Sequence, residues 1–336
     1  MSFIRRVIDD NKFTPGDLPR FEAKLFFEGD SRLVHLERFA VLLLLSTIIA
    51  TFGVISDSTA TVIGAMIIAP LMRPIMGTAA GVTMGDMKRA GQSFLIVVVG
   101  VTGVILLAWL LTEITITRAI SFETNSQITS RISPRLIDLY VALAAGAAGA
   151  FALSRDDVAD SLPGVAIAIS LVPPLCVVGI GVADGEVDAA FGAMLLFLTN
   201  FLAILLAGGF VLLLLGLSTA TMKDLERDAR RKAFILITAG VLLITIPLGA
   251  SSVRVFKQNL IRRVAVQLAE EWIEGTGFRL SQIEVTGDQV DLAIYGSGEQ
   301  PRLSELGERL FSSLDRPVDM KLVVLPSVQQ EYAAEN

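Results

Sequence analysis

The sequence predicts a polytopic α-helical membrane bundle of about seven transmembrane helices with a 3+3 inverted repeat, followed by a small soluble C-terminal domain of order α-β-β-α-β. Three observations predict it. Of 336 residues, 53% are hydrophobic and only 18% charged, where a soluble domain carries roughly a quarter charged. The apolar residues lie in blocks, and crossing a bilayer takes about 20 apolar residues per helix. Two of these blocks read alike, and the block pattern stops after residue 254.

Residues 1–37 mix Arg5, Arg6, Lys12, Arg20, Lys24 and Arg32 with Phe21, Leu25, Phe26 and Phe27, broken by Pro15-Gly16 and Pro19. Such a segment reads either as a short helix lying at the membrane surface or as a polar tail. No apolar run precedes Phe39, so no cleavable signal peptide is expected. A transmembrane domain over 38–253 holds a first repeat over about 38–112, with spans at 38–56, 58–85 and 90–112. A second repeat over about 135–216 has spans at 135–153, 161–183 and 189–216, and an extra helix follows at 233–251. The fourth span is rich in Ala and Gly from Val141 to Ala152. Small residues allow close helix approach, either within the protomer or in a homo-oligomer.

Over 254–326, Phe256, Leu260, Val264, Leu268 and Trp272 recur every four residues as one helix face. Ile283 to Thr286 and Gln289 to Tyr295 read as strands joined by the two-residue turn Gly287-Asp288. Pro301 opens a second helix with Leu303, Leu306, Leu310 and Leu314. Val318 to Leu325 reads as a last strand, and 327–336 as a tail. The order is similar to that of BON-like domains, at fold level only.

The repeat rests on ordered matches. Asp57-Ser58 pairs with Asp160-Ser161, and Val62, Ala65 and Pro70 pair with Val165, Ala168 and Pro173. After a three-residue shift, Gly81-Val82, Gly85, Asp86, Ala90 and Leu95 pair with Gly181-Val182, Gly185, Glu186, Ala190 and Leu195. Three crossings per copy turn the second copy over, which is the inverted-repeat architecture common among secondary transporters. The alternative is two hydrophobic hairpins with similar turn chemistry.

Each matched span carries two prolines within its apolar run, Pro70 and Pro74 in one, Pro173 and Pro174 in the other. Proline removes a backbone donor and clashes with the preceding turn, and in hydrocarbon the freed carbonyls need partners. Interrupted helices at matched places mark a midplane site; a plain kink is the other reading. Arg73, between two prolines, either binds an anionic solute or snorkels to the surface. Asn200 in the sixth span either glues helices or lines the pathway. Asp57 and Ser58, like Asp160 and Ser161, precede helix starts, where N-capping accounts for them; Ser58 is also a polar candidate for the pathway.

Lys and Arg in the short loops favour a cytoplasmic N-terminus: Lys88, Arg89, Arg155 and the cluster from Lys223 to Lys232 fall on that side. Seven spans then place the C-terminal domain outside, although Arg254, Lys257, Arg262 and Arg263 argue the other way. One His (His35) and one Cys (Cys176) leave no ligand set for zinc and no intrachain disulfide. A net charge of −6 speaks against a nucleic-acid partner. Gly85-Asp86-Met87-Lys88 lacks phosphate-loop spacing, and Asp156-Asp157 and Glu270-Glu271 diverge on a helix, so neither an enzyme nor a cofactor is expected.

The run from Asp57 through Gly64 and Pro70 to Ile75 closely resembles one family, as do Leu162 to Ala168 and Leu171 to Leu175. It is the prokaryotic family of hydrophobic membrane proteins catalogued as domain of unknown function 389, and the resemblance covers about residues 38–217. It implies a multi-pass protein of the prokaryotic plasma membrane and no particular substrate. Arg73 stands where the family pattern has a small residue, so the resemblance implies no anion-binding role for it. Together these readings lead to a secondary transporter or permease for a small solute or ion, with Ser58, Pro70, Arg73, Pro74, Pro173, Pro174 and Asn200 along its pathway. The alternatives are a channel, or a membrane scaffold or sensor whose soluble domain binds a partner. Membrane lipid is the other expected partner.

Overall fold

The computed structural model describes residues 3–29, 31–115, 120–155, 171–220, 227–286, 289–296, 298 and 302–326. The expectations placed on Arg118, Asp156-Asp157, Asp160-Ser161, Leu162 to Ala168, Lys223, Gly287-Asp288, Pro301 and 327–336 lie outside the described residues. The chain divides into two compact units, 1–249 and 250–336.

In the first unit, α1 (Phe3–Asp10) and α2 (Leu18–Leu25) precede the long α3 (Arg32–Ile55). Ser58 caps α4 (Thr59–Ile68), its hydroxyl accepting from the Thr61 N–H at 3.4 Å. That helix ends at Ala69 because the residue before a proline is pushed out of helical geometry, and Ala69 is extended (φ −61°, ψ 123°). The chain restarts as α5 (Met72–Met84), bent by 47° from α4. Then follow α6 (Met87–Ile114), the short α7 (Ser126–Ile132), α8 (Leu136–Ser154), α9 (Val172–Asp184), α10 (Val187–Leu214) and α11 (Leu217–Ala220). A final helix, α12 (Arg227–Ile273), contains Pro247 and crosses the division between the units.

Among the described residues, five helical stretches are long and apolar enough to cross a membrane, 32–55, 87–114, 136–154, 187–214 and 230–250, or six if α4 and α5 form one broken span. The seven spans expected are therefore not all met. The span expected over 161–183 is described only as α9, whose 13 residues reach about 20 Å, short of the roughly 30 Å hydrocarbon core. The outward faces are apolar: Leu95, Val99 and Leu106 on α6 and Leu236, Leu243 and Ile246 on α12 are all exposed. This is a membrane protein, with lipid as the solvent of those faces.

Two helix hairpins build the centre. α5 turns into α6 at Gly85 (φ 75°, ψ 17°), and α9 turns into α10 at Gly185 (φ 78°, ψ 9°). α5 and α9 each have 13 residues, and α6 and α10 each have 28. At both corners a backbone N–H spans the turn, Asp86 to Gly81 O at 2.9 Å and Glu186 to Gly181 O at 2.8 Å. The hairpins pack crosswise. Gly179 of α9 lies against Ala108 and the Ile105 carbonyl of α6, and Gly208 of α10 lies against Met76 of α5. Residues 156–170 lie outside the described residues, so the correspondence seen is between these two hairpins, and the 3+3 repeat expected is not established by it.

α8 buries Ala142, Ala145, Gly146, Gly149 and Ala150, and a side chain on Gly146 would meet the Ile204 backbone of α10 at 2.8 Å. That small-residue face is thus spent within the chain, while Ala144 and Ala148 of the same helix are exposed.

The second unit contains the end of α12, then β1 (Phe278–Thr286), β2 (Gln289–Gly296), α13 (Leu303–Leu314) and β3 (Asp319–Pro326). The sheet order is β1-β2-β3, with β1 and β2 antiparallel and β2 and β3 parallel. A parallel pair needs a crossover, which α13 supplies. Val290, Leu292 and Ile294 of β2 face Leu306 and Leu310 of α13 in one core. The buried face of α12 here is Ile261, Ala265, Ala269 and Trp272, whereas Leu260 is exposed. The expected stripe from Phe256 to Trp272 is corrected by geometry. A strict four-residue repeat advances 40° per step beyond a full turn; Leu260 is turned away while Val264, Leu268 and Trp272 pack against the core.

Candidate functional site

α5 from Pro74 to Met84 and α9 from Val172 to Gly181 are buried on every side. A helix apolar all round belongs in the centre of a bundle, and these two begin inside it. Pro74 is in the first turn of α5, and Pro173 and Pro174 are in the first turn of α9. First-turn N–H groups have no acceptor within the helix, so proline there removes donors that would otherwise be orphaned. The prolines therefore start helices rather than interrupt them mid-turn. Pro70 lies in the link before α5, where its carbonyl accepts from the Arg73 N–H at 3.3 Å, and Leu71 O accepts from Ile75 N–H at 3.3 Å. The backbone exposes fewer free groups than the sequence predicts, although neither start carries a side-chain cap and the positive end of each helix dipole remains.

Asn200 is 5% exposed on α10. Counting back equally along both arms of the first hairpin from the Gly81–Ala90 contact reaches Leu71 and Gly100, which touch: a side chain on Gly100 would meet Leu71 at 3.2 Å. The same count from Gly181–Ala190 reaches Leu171 and Asn200. This places the Asn200 amide level with the start of α9. Ser58, by contrast, is separated from Pro70 by the length of α4, about 15 Å. It shares a 2.8 Å hydrogen bond with the Thr61 hydroxyl and serves as a cap.

Arg73 points toward the N-terminal segment. Its Nη2 lies 3.3 Å from Ala23 O and 3.5 Å from Phe26 O, and its guanidinium sits 4.4 Å over the Phe27 ring. The last carbonyls of a helix are unpaired and carry partial negative charge, so Arg73 holds the end of α2. Arg89 does the same from α6, with ion pairs to Glu22 and Glu28 at 3.0 Å each and stacking over Phe26 at 4.9 Å. Residues 11–28 are thus a docked element, with Phe13, Phe21, Leu25, Phe26 and Phe27 buried. They reach the second hairpin and α8 too: Phe13 N–H donates to Leu215 O at 2.8 Å, and Arg155, at the end of α8, donates to Lys12 O at 3.4 Å. The sequence alone suits either a surface helix or a polar tail here. The signal was the alternation of Phe with charge; the partners Arg73 and Arg89 lay far along the chain.

At the other end of the bundle, α7 was missed. Asn125 caps it, accepting from Gln127 and Ile128 N–H, and donates to Val54 O at 2.7 Å. Asp57 sits at φ 51° and is not the cap expected; it accepts from the Ser126 hydroxyl at 2.7 Å and from Gln127 N–H at 3.1 Å. The Ser126 hydrogen bond in particular holds its carboxyl below the usual carboxylate range. Arg131, on the same short helix, donates to Gln127 O and Ser130 Oγ, and burial pulls its guanidinium pKa down.

Beside the α4–α5 bend is a cavity of about 470 Å³ lined by His35, Arg38, Pro70, Arg73 and apolar side chains. Among the described residues no group of His, Cys, Asp and Glu is placed to hold a metal ion.

Residues 66–206 match the family model described as Domain of unknown function (DUF389), the family that the Asp57 to Ile75 run resembles. An uncharacterised protein of the archaeon Methanocaldococcus jannaschii is 35% identical over 178 residues, which is 53% of this chain and 54% of that protein. The match thus spans about half the length of the curated relative. No solved structure matches.

Proposed function

We propose that this protein, whose residues 66–206 carry the matched domain, is a secondary transporter or permease for a small solute or ion in a prokaryotic plasma membrane. The solute passes between the starts of α5 and α9, where Pro70, Pro74, Pro173 and Pro174 shape the backbone and Asn200 offers an amide. One observation carries the reading. Two short, wholly buried helices begin inside the bundle, and each is joined by the same glycine corner to a 28-residue helix of the other's packing partner. Crossed hairpins of this kind are what an inverted repeat produces, and rocking one against the other alternates access to a central site. The sequence contains no nucleotide-binding loop, so the driving force is an ion gradient or the solute's own gradient. The basic loops put the N-terminus in the cytoplasm.

The test is flux in proteoliposomes of the full chain, with labelled sodium, chloride, phosphate and small organic acids offered against imposed ion gradients. Saturable, gradient-coupled uptake that weakens in Asn200→Ala supports a transporter. Unsaturating conductance assigns a channel instead, and neither flux nor conductance returns the protein to a scaffold.

A further inference from the structure

We infer that the cavity beside the α4–α5 bend binds the anionic head of a membrane lipid. Its polar lining comes from His35, Arg38 and Arg73, and among the described residues no carboxylate lines it. Among the described residues, two buried nitrogens of these side chains have no hydrogen-bond partner, Arg73 Nε and His35 Nδ1. An unsatisfied buried polar group is costly, and Arg73, although Ala23 O, Phe26 O and the Phe27 ring hold its guanidinium, meets no counter-charge among the described residues that line the cavity. A phosphodiester supplies both the missing acceptors and the missing negative charge, and arginine is suited to grip it through paired N–H groups.

The remaining walls settle which source of phosphate fits. Leu42, Ile67 and Leu153 line the apolar part, and Leu42 and Ile67 are also 40% and 48% exposed on the outer surface of the bundle. The cavity therefore communicates with the lipid phase along α3 and α4. Arg38 lies about 9 Å inside the start of α3 at Arg32, the depth at which a long cationic side chain meets headgroups. A ligand with a charged head and a hydrocarbon tail satisfies both ends; a free anion leaves the apolar end empty. This inference does not depend on the transport reading.

The experiment uses the delipidated full chain in neutral detergent, titrated with short-chain phosphatidylglycerol, short-chain phosphatidylcholine and inorganic phosphate. Binding is read by native mass spectrometry and by the shift in melting temperature. Phosphatidylglycerol is expected to bind at least about tenfold more tightly than phosphatidylcholine, because both carry the phosphodiester but the choline ammonium of the second brings a positive charge beside Arg38 and Arg73. Arg73 also holds the N-terminal segment, so Arg38→Gln carries the test and should remove most of that preference. Ile67→Trp, which keeps every charge and fills the apolar end, should weaken phosphatidylglycerol as well. Equal affinity for the two lipids, or an unchanged preference in Arg38→Gln, overturns the proposal. So does displacement of phosphatidylglycerol by millimolar inorganic phosphate, which would make this a site for a soluble anion.

Discussion

Adding one methyl group at each hairpin corner separates two glycines that the sequence treats as equals. In Gly81→Ala the new Cβ would stand 2.6 Å from the Ala90 nitrogen and 2.8 Å from its Cα. Both obstacles are backbone, so α5 and α6 must part by most of an ångström. Overpacking of that kind costs about 1–3 kcal/mol, offset by up to ~1 kcal/mol because alanine favours the helix over glycine. A net loss of about 1–2 kcal/mol is expected. In Gly181→Ala the nearest atoms are Glu186 O at 3.0 Å and Ala190 N at 3.1 Å. A few tenths of an ångström relieve that, so the two terms nearly cancel and the change should lie within about 1 kcal/mol of zero. The assay is equilibrium unfolding of the purified protein in mixed micelles, followed by tryptophan fluorescence and helical signal. Gly181→Ala proving as costly as Gly81→Ala, or more so, would refute the account of the corners as sterically graded contacts.

Four further outcomes are expected. Gly85→Ala and Gly185→Ala should each cost about 1–2 kcal/mol, and by similar amounts, because both residues hold left-handed geometry; the same unfolding assay checks this. Arg89→Gln should loosen residues 11–28 by roughly 1 kcal/mol, allowing for partly exposed ion pairs, seen as faster limited proteolysis there with the bundle intact. Asp57 has a depressed carboxyl pKa, so it stabilises the folded chain above its unfolded value of about 4, and that contribution disappears as pH falls through the lower folded value. Asp57→Asn, which tolerates the positive φ, should flatten the acid limb of a melting-temperature profile below about pH 4, and an unchanged limb would clear Asp57 of this role. Cys176 is fully buried, so maleimide should label it only after unfolding, by mass spectrometry.

Periodicity and block length revealed the long helices because lipid imposes those lengths directly. Pro70 does mark a break, with α4 and α5 bent by 47° there, whereas Pro74, Pro173 and Pro174 lie in the first turns of helices. Sequence shows that Pro173 and Pro174 sit within an apolar run, but not that a helix begins one residue earlier, where proline is harmless. The repeat was also read with a three-residue shift, pairing Pro70 with Pro173. The helices themselves align Met72–Met84 with Val172–Asp184, which pairs Pro74 with Pro174 and leaves the shift to the segment before α9. Arg73 was legible as unusual, and its partners were not, since Ala23 O and Phe26 O are main-chain atoms that no side-chain pattern announces. α7 escaped because seven polar residues carry no periodic signal, although Asn125 marks its start.

Residues 11–28 grip one hairpin through Arg73 and Arg89, the other through Leu215, and α8 through Arg155 at its end. Any swing that spreads the hairpins at that end must first let go of one side. In the proposed transport cycle the segment would act as a brake on that swing, and freeing it would favour whichever arrangement is open there.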